Sequence, residues 1–159
     1  MVEIRPTRRV DRARILAISL AEPLFEPDEV EIVEELLDDY FGRDDHHGYY
    51  FLSAIEGKKL LGYACYGPTP MTDGTFDLFW ICVDRPFARQ GIGGRLLGEV
   101  ERQIADMQGR MIVLDTSGRT DYLPTWRFYE KQGYTLQARI PEFYRPGEDL
   151  LIYAKRLDR

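Results

Sequence analysis

Apolar positions along the chain recur first at helical spacing, then in alternation, then at helical spacing again. Residues 2–5 form a short strand candidate closed by Pro6, after which Ala13, Leu16, Ala17 and Leu20 mark a helix that stops near Pro23. Pro27 and Asp28 can open a second helix, with Val30, Val33, Leu37 and Tyr40 or Phe41 on one face and Gly42 just past its end. The period then shortens. Residues 49–55 and 59–66 are rich in aromatic and branched residues, and Glu56-Gly57-Lys58 between them suits a tight hairpin turn. Residues 75–83 are apolar on both faces, which predicts a central strand, and Asp77 is its only charge.

A glycine-rich turn follows and opens a helix at Gly93. That helix carries Leu96, Leu97, Val100, Ile104 and Met107 on one side and Arg95, Glu99, Arg102 and Gln103 on another, the pattern of a helix packed on a sheet. Gly98 inside it costs about 1 kcal/mol relative to alanine, which a close neighbour would explain. Residues 110–115 predict a further strand. Pro124 to Lys131 reads as a short helix capped by Gly133, and residues 134–138 and 150–157 close the chain as strands. Between them, 139–149 reads as a long loop holding Pro141, Phe143, Tyr144, Pro146 and Gly147.

Composition narrows the class. The 159 residues suit one domain over 1–159, with no linker, internal repeat or low-complexity tract. The hydrophobic fraction of 44% and charged fraction of 30% are those of a soluble globular protein. No apolar run reaches the length of a membrane span, and residues 1–6 lack a signal-type segment, so the expected setting is cytoplasmic, away from membranes. A net charge of −6 argues against a nucleic-acid surface. Cys65 and Cys82 sit in apolar runs without metal or redox spacing and read as buried free thiols. Both histidines lie in Asp44-Asp45-His46-His47; consecutive residues rarely converge on one ion, so this run reads as a solvated loop and no metal is expected.

The chemistry concentrates in residues 81–97. An apolar strand ending Ile81-Cys82-Val83 leads through a short loop into Arg89-Gln90-Gly91-Ile92-Gly93-Gly94. The first amides of a helix have no internal partner and the helix dipole favours negative charge there, so this turn can hold a phosphate or pyrophosphate. A Walker loop would need Gly-Lys-Ser/Thr, and Gly93-Gly94-Arg95 does not supply it. A dinucleotide fingerprint would need glycine where Leu96 stands.

The pattern Gln/Arg-x-x-Gly-x-Gly/Ala of the GNAT superfamily of N-acetyltransferases falls on Ala88-Arg89-Gln90-Gly91-Ile92-Gly93, and the order of elements also resembles that family along nearly the whole chain. A second motif, Phe128-Tyr129-Glu130-Lys131-Gln132-Gly133-Tyr134, is similar to the family's fourth helix and following turn. The resemblance implies an α/β (α+β) fold with a central mixed, mostly antiparallel sheet of about six or seven strands, flanked by about four helices. It implies acetyl-CoA as co-substrate, held by Ile81, Cys82, Val83, Arg89, Gln90, Gly91, Ile92, Gly93, Gly94 and Tyr129, and a small-molecule, peptide or protein amine as acceptor. Two positions depart from the pattern: Ala88 replaces the usual Gln or Arg, and Tyr122 replaces the asparagine that often contacts the cofactor. Bulk at Gly91 or Gly93 would fill space the pyrophosphate needs.

An alkyl amine of pKa about 10.4 must lose a proton before it attacks a thioester. Asp77, a carboxylate in an apolar strand, suits a general base and aligns with an acid that serves so in some family members; the alternative is a structural carboxylate. Glu26, Asp115 and Glu142 are further candidates. Tyr129 would stand at the leaving thiolate, or else be a core tyrosine; proton transfer from a phenol to a thiolate is uphill by roughly 2 kcal/mol, which favours a hydrogen bond. The resemblance implies a backbone N–H near Cys82 or Val83 as the donor that stabilises the oxyanion. For the acceptor, Phe143, Tyr144 and Arg145 are candidates, with a satellite cluster or a homodimer contact as alternatives, and Thr116-Ser117-Gly118-Arg119 could line the same cleft. The acidic positions Glu29, Glu31, Glu34, Glu35, Asp38 and Asp39 suit a solvated face or an amine-binding wall. An enzyme moving an acetyl group to a primary amine is the first reading; a non-catalytic acyl-CoA-binding or regulatory module is the second.

Overall fold

Among the described residues, seven strands form one mixed sheet, in the order β1-β2-β3-β4-β5-β7-β6. The computed structural model describes residues 1–42 and 48–157, so the Asp44-Asp45-His46-His47 run lies outside the described residues. The strands are β1 (Val2–Pro6), β2 (Tyr50–Glu56), β3 (Lys59–Pro68), β4 (Thr75–Val83), β5 (Met111–Ser117), β6 (Thr135–Arg145) and β7 (Glu148–Arg156). The helices are α1 (Arg12–Ala21), α2 (Pro27–Gly42), α3 (Ile92–Asp106) and α4 (Leu123–Lys131). Only β4 and β5 pair in parallel; the other neighbours are antiparallel. Gly57, at a φ of 63°, makes the predicted β2–β3 turn.

Apolar faces set the layers. Leu96, Leu97, Val100 and Ile104 of α3 are buried with Leu52, Leu61, Leu78, Leu114 and Tyr129 on one side of the sheet. Val33, Leu37 and Tyr40 of α2 join Ile15, Ile18, Phe51, Tyr63 and Cys82 on the other. Each fully buried aliphatic side chain contributes about 1.5–3 kcal/mol.

Three expectations change. In α1 the buried face is Ile15, Ile18 and Ser19, whereas Leu20 is 72% exposed. Apolar residues occur all round this helix, so spacing alone could not choose; Ser19 enters the core by donating to the Ile15 carbonyl and sharing a 2.7 Å hydrogen bond with the Tyr63 hydroxyl. The region 139–149 is not a loop but the end of β6 and the start of β7, with a register shift between Ile140 and Arg145. As β6 is an edge strand, Pro141 breaks no ladder. Gly98 has no neighbour within 4 Å of where its Cβ would stand, and nothing in the structure explains the glycine.

Two irregularities in β4 position the site. Cys65 faces Trp80 and Tyr66 faces Leu78, which leaves Phe79 as an extra residue. This bulge switches the strand's faces: Phe76 and Leu78 pack toward α3, while Trp80 and Cys82 pack toward α1 and α2. Pairing between β4 and β5 covers only Thr75 to Asp77 against Met111 to Val113. Beyond those rungs the strands part.

Candidate active site

β4 ends at Val83, and the Asp84 N–H bonds the Leu61 carbonyl at 2.8 Å while its carboxylate pairs with Arg14. A single turn at Arg85–Phe87 follows. Arg89 and Gly91 then take left-handed φ values of 64° and 81°, folding the loop back into α3. The Gly91 carbonyl accepts the Arg95 N–H at 3.1 Å, so the N–H groups of Ile92, Gly93 and Gly94 precede the first helical bond. Among the described residues no side chain caps them. They form an amide cradle at the positive end of a 15-residue helix, with Arg89, Gln90 and Arg95 exposed around it.

The glycines also shape the backbone and packing around the cradle. A Cβ at Gly91 would meet open space, and the left-handed φ there disfavours any side chain. A Cβ at Gly93 would lie 3.2 Å from the Phe128 ring, and one at Gly94 3.3 Å from the Gln132 amide. Gly93 and Gly94 therefore let α3 lie close to α4, and a side chain on either points toward α4.

That contact sets Tyr129, which is 7% exposed, between Phe128, Tyr134 and Tyr153, with ring centroids 5.3, 5.8 and 6.3 Å away. Behind it, Glu101 accepts from the Tyr134 hydroxyl and from Lys155, both at 2.9 Å, and Lys155 also bonds the Gln132 carbonyl at the end of α4. The Tyr129 hydroxyl has no hydrogen-bond partner among the described residues. Among the described residues no fully buried side-chain oxygen lacks a partner, so this hydroxyl is not fully enclosed. Burial pushes its pKa up, which keeps it a neutral donor.

On the α1–α2 side of the parting strands, Asp77 accepts a 2.8 Å hydrogen bond from the Thr69 hydroxyl. Asp115, two positions beyond the partner of Asp77, has no hydrogen-bond or ion-pair partner among the described residues. Burial, and then the charge of Asp77, raise its pKa. Burial also raises that of Glu29 on α2, beside Trp80. Of the other acids on α2, Glu34 and Asp38 pair with Arg12 at the surface. The Glu142 carboxylate accepts the Gly147 N–H, which commits it to the β6–β7 turn.

Sequence reasoning missed Glu148. It is buried, accepts from the Ser117 hydroxyl at 2.7 Å, and pairs with Arg145. An acid after Pro-Gly looks like any turn residue, and only the fold of β7 against β5 carries it inward. Of the predicted acceptor residues, Tyr144 faces this group, its pKa pushed up to about 12 by burial and then by Asp115, Glu29 and Glu148. Phe143 is 56% exposed and stacks edge-on against Tyr144 at 5.1 Å. The Tyr122 hydroxyl donates to the Leu24 carbonyl at 2.8 Å.

A sheet that opens between β4 and β5, with an amide cradle at one mouth, defines an acyltransferase-type fold. Residues 14–134 match the family model described as the acetyltransferase (GNAT) family. The chain belongs to the GNAT acetyltransferase family. A solved GNAT-family structure from Desulfovibrio desulfuricans is 37% identical, with a TM-score of 0.94 over 98% of this chain and 99% of that one. An aminoglycoside 6'-N-acetyltransferase complexed with coenzyme A is 20% identical, with a TM-score of 0.79 over 99% and 98%. The ribosomal-protein-S18-alanine N-acetyltransferase from Escherichia coli is 17% identical, with a TM-score of 0.81 over 100% and 96%. The latter two share the fold. No curated protein matches the sequence. Among the described residues, no helix is long and apolar enough to cross a membrane.

Proposed function

We propose that this protein, as a single domain, transfers an acetyl group from acetyl-CoA to a primary amine. The observation that carries this reading is the pairing of a free amide cradle at Ile92, Gly93 and Gly94 with an inward Tyr129 hydroxyl across the parted β4 and β5. The cradle suits a pyrophosphate, and the gap between strands suits an extended arm lying along Ile81, Cys82 and Val83. Arg89 and Gln90 flank the cradle, and with Ala88 at the first loop position, backbone amides do most of the holding.

Acetyl-CoA supplies an activated thioester. The carboxylates of Glu29, Asp77 and Asp115 face one opening, which favours a substrate that arrives as an ammonium ion. The amine loses its proton to the Asp77–Asp115 pair. Thr69 orients Asp77 as a fixed acceptor, and Asp115, with its raised proton affinity, is the member that holds the proton. The amine nitrogen forms its bond to the carbonyl carbon while a β4 backbone N–H near Cys82 or Val83 stabilises the oxygen. The C–S bond then breaks, the nitrogen, cationic after attack, gives its second proton through solvent to the sulfur so that coenzyme A leaves as the thiol, and Tyr129 donates a hydrogen bond to that sulfur as it departs. Its raised pKa opposes full proton transfer to a thiolate of pKa about 8.5.

A cytoplasmic setting accords with two buried thiols that remain free. Calorimetry with acetyl-CoA followed by thiol-release assays over an amine panel tests the proposal. Binding without amine-dependent release would favour an acyl-CoA-binding module.

A further inference from the structure

The segment between α1 and α2, residues 22–26, touches both rims of the opening. On the β4 rim, Glu22 pairs with Arg85 at 3.1 Å and accepts the Leu24 N–H at 3.1 Å. On the β5 rim, the Leu24 carbonyl accepts the Tyr122 hydroxyl at 2.8 Å, and Arg119 lies 3.8 Å from Glu26. Arg85 follows β4 and Tyr122 follows β5, so the segment bridges the two strands where they have no ladder between them. The bridge ends beside Glu29, whose charge, like that of Asp115, acts on the Tyr144 hydroxyl.

We infer that Tyr122 is a specificity-determining residue for the acceptor amine: its hydroxyl ties the Leu24 strap across the acceptor mouth and so limits the bulk of the amine admitted. This rests on the acetyltransferase reading. Of the ties on the β5 rim, the Tyr122 hydrogen bond is the short one; the Arg119–Glu26 contact is long, and Arg119 divides itself among Glu26, Asp121 and Glu148. The Arg119 guanidinium also covers the Tyr122 ring, 5.5 Å from its centroid, which fixes the direction of the hydroxyl. Burial pushes the Tyr122 pKa up to about 12, so the donor persists through neutral pH. Tyr122 acts on the strap and is a positioning residue, apart from the reacting atoms.

The test compares wild type with Tyr122→Phe, which keeps the ring under Arg119, and with Glu22→Gln, which weakens the opposite tie. Hydrogen exchange of the Leu24 and Phe25 amides is read with acetyl-CoA bound, alongside kcat/KM for propylamine, benzylamine and a lysine-containing peptide. Loss of one hydrogen bond should speed exchange of those amides about two- to tenfold in both variants. The benzylamine-to-propylamine ratio of kcat/KM should rise at least about threefold, with acetyl-CoA Kd within about twofold of wild type as the check on folding. A ratio unchanged in Tyr122→Phe overturns the proposal, whether or not exchange accelerates. Exchange does not depend on turnover, so the two failures separate: wild type with no amine-dependent thiol release removes the acetyltransferase reading and the specificity role with it, whereas unchanged exchange removes the tie itself.

Discussion

Asp77 pairs with Val113 at the last rung of the β4–β5 ladder, and two residues past that rung Asp115 comes to share the opening with Asp77. The mutual charge matters because the rise in the Asp115 pKa comes from burial and then from Asp77. A base must be unprotonated to act, so a raised pKa moves the acidic limb of kcat/KM up from the ordinary aspartate value, with activity lost as pH falls through it. Replacing either residue with asparagine should lower kcat at least about tenfold. In Asp77→Asn the surviving limb should also move to lower pH, since the like charge is gone. A limb that stays in place would break the proposed coupling.

Tyr129 is packed on three aromatic rings but leaves its hydroxyl free, so Tyr129→Phe removes one donor and little packing. Steady-state kinetics should show kcat reduced at least about tenfold, with acetyl-CoA affinity by calorimetry nearly unchanged. Unchanged turnover would remove Tyr129 from the mechanism.

Gly91 and Gly93 should fail differently. Gly91→Ala forces a side chain into a left-handed φ at a cost of about 1–2 kcal/mol and should weaken acetyl-CoA binding by disordering the cradle. Gly93→Val pushes on Phe128, the neighbour of Tyr129, and should lower kcat as well as affinity. Calorimetry and kinetics on the pair separate the effects, and a Gly93→Val enzyme with normal kcat would contradict the α3–α4 contact argument.

Away from the site, Asp11 accepts from Arg5 at 2.7 and 3.0 Å, from the Arg8 N–H at 2.8 Å and from Ser53 at 3.3 Å. Burial pushes its pKa up, but these bonds together hold it below 3.8. The resulting stability is fully present above pH 3.8 and is lost as pH falls through the depressed folded value. Asp11→Asn should cost about 3 kcal/mol at neutral pH, with less of a deficit in strong acid, as urea titrations at several pH values would show. An equal deficit at every pH would mean that packing, not charge, sets the loss.

Periodicity placed β4 at its observed bounds and the start of α2 at Pro27, with Gly42 inside the helix rather than past it, because each element is largely apolar or cleanly two-sided. The left-handed turn into α3 was equally readable, since glycine spacing reports backbone geometry directly. Residues whose role depends on distant partners were not. Ser19 looked polar until Tyr63 supplied its bond, Glu148 looked like a turn residue until β7 met β5, and nothing local to Tyr122 names Leu24. The register shift that turns 139–149 into strand is likewise invisible where Pro141, Pro146 and Gly147 signal a loop.

The central claim, acetyl transfer to an amine, is tested most directly by thiol release from acetyl-CoA over a panel of primary amines, with Tyr129→Phe run in parallel. The account predicts release that requires both the amine and acetyl-CoA and that falls at least about tenfold in the variant. Acetyl-CoA bound by calorimetry, with no amine-dependent release on any member of the panel, would contradict it.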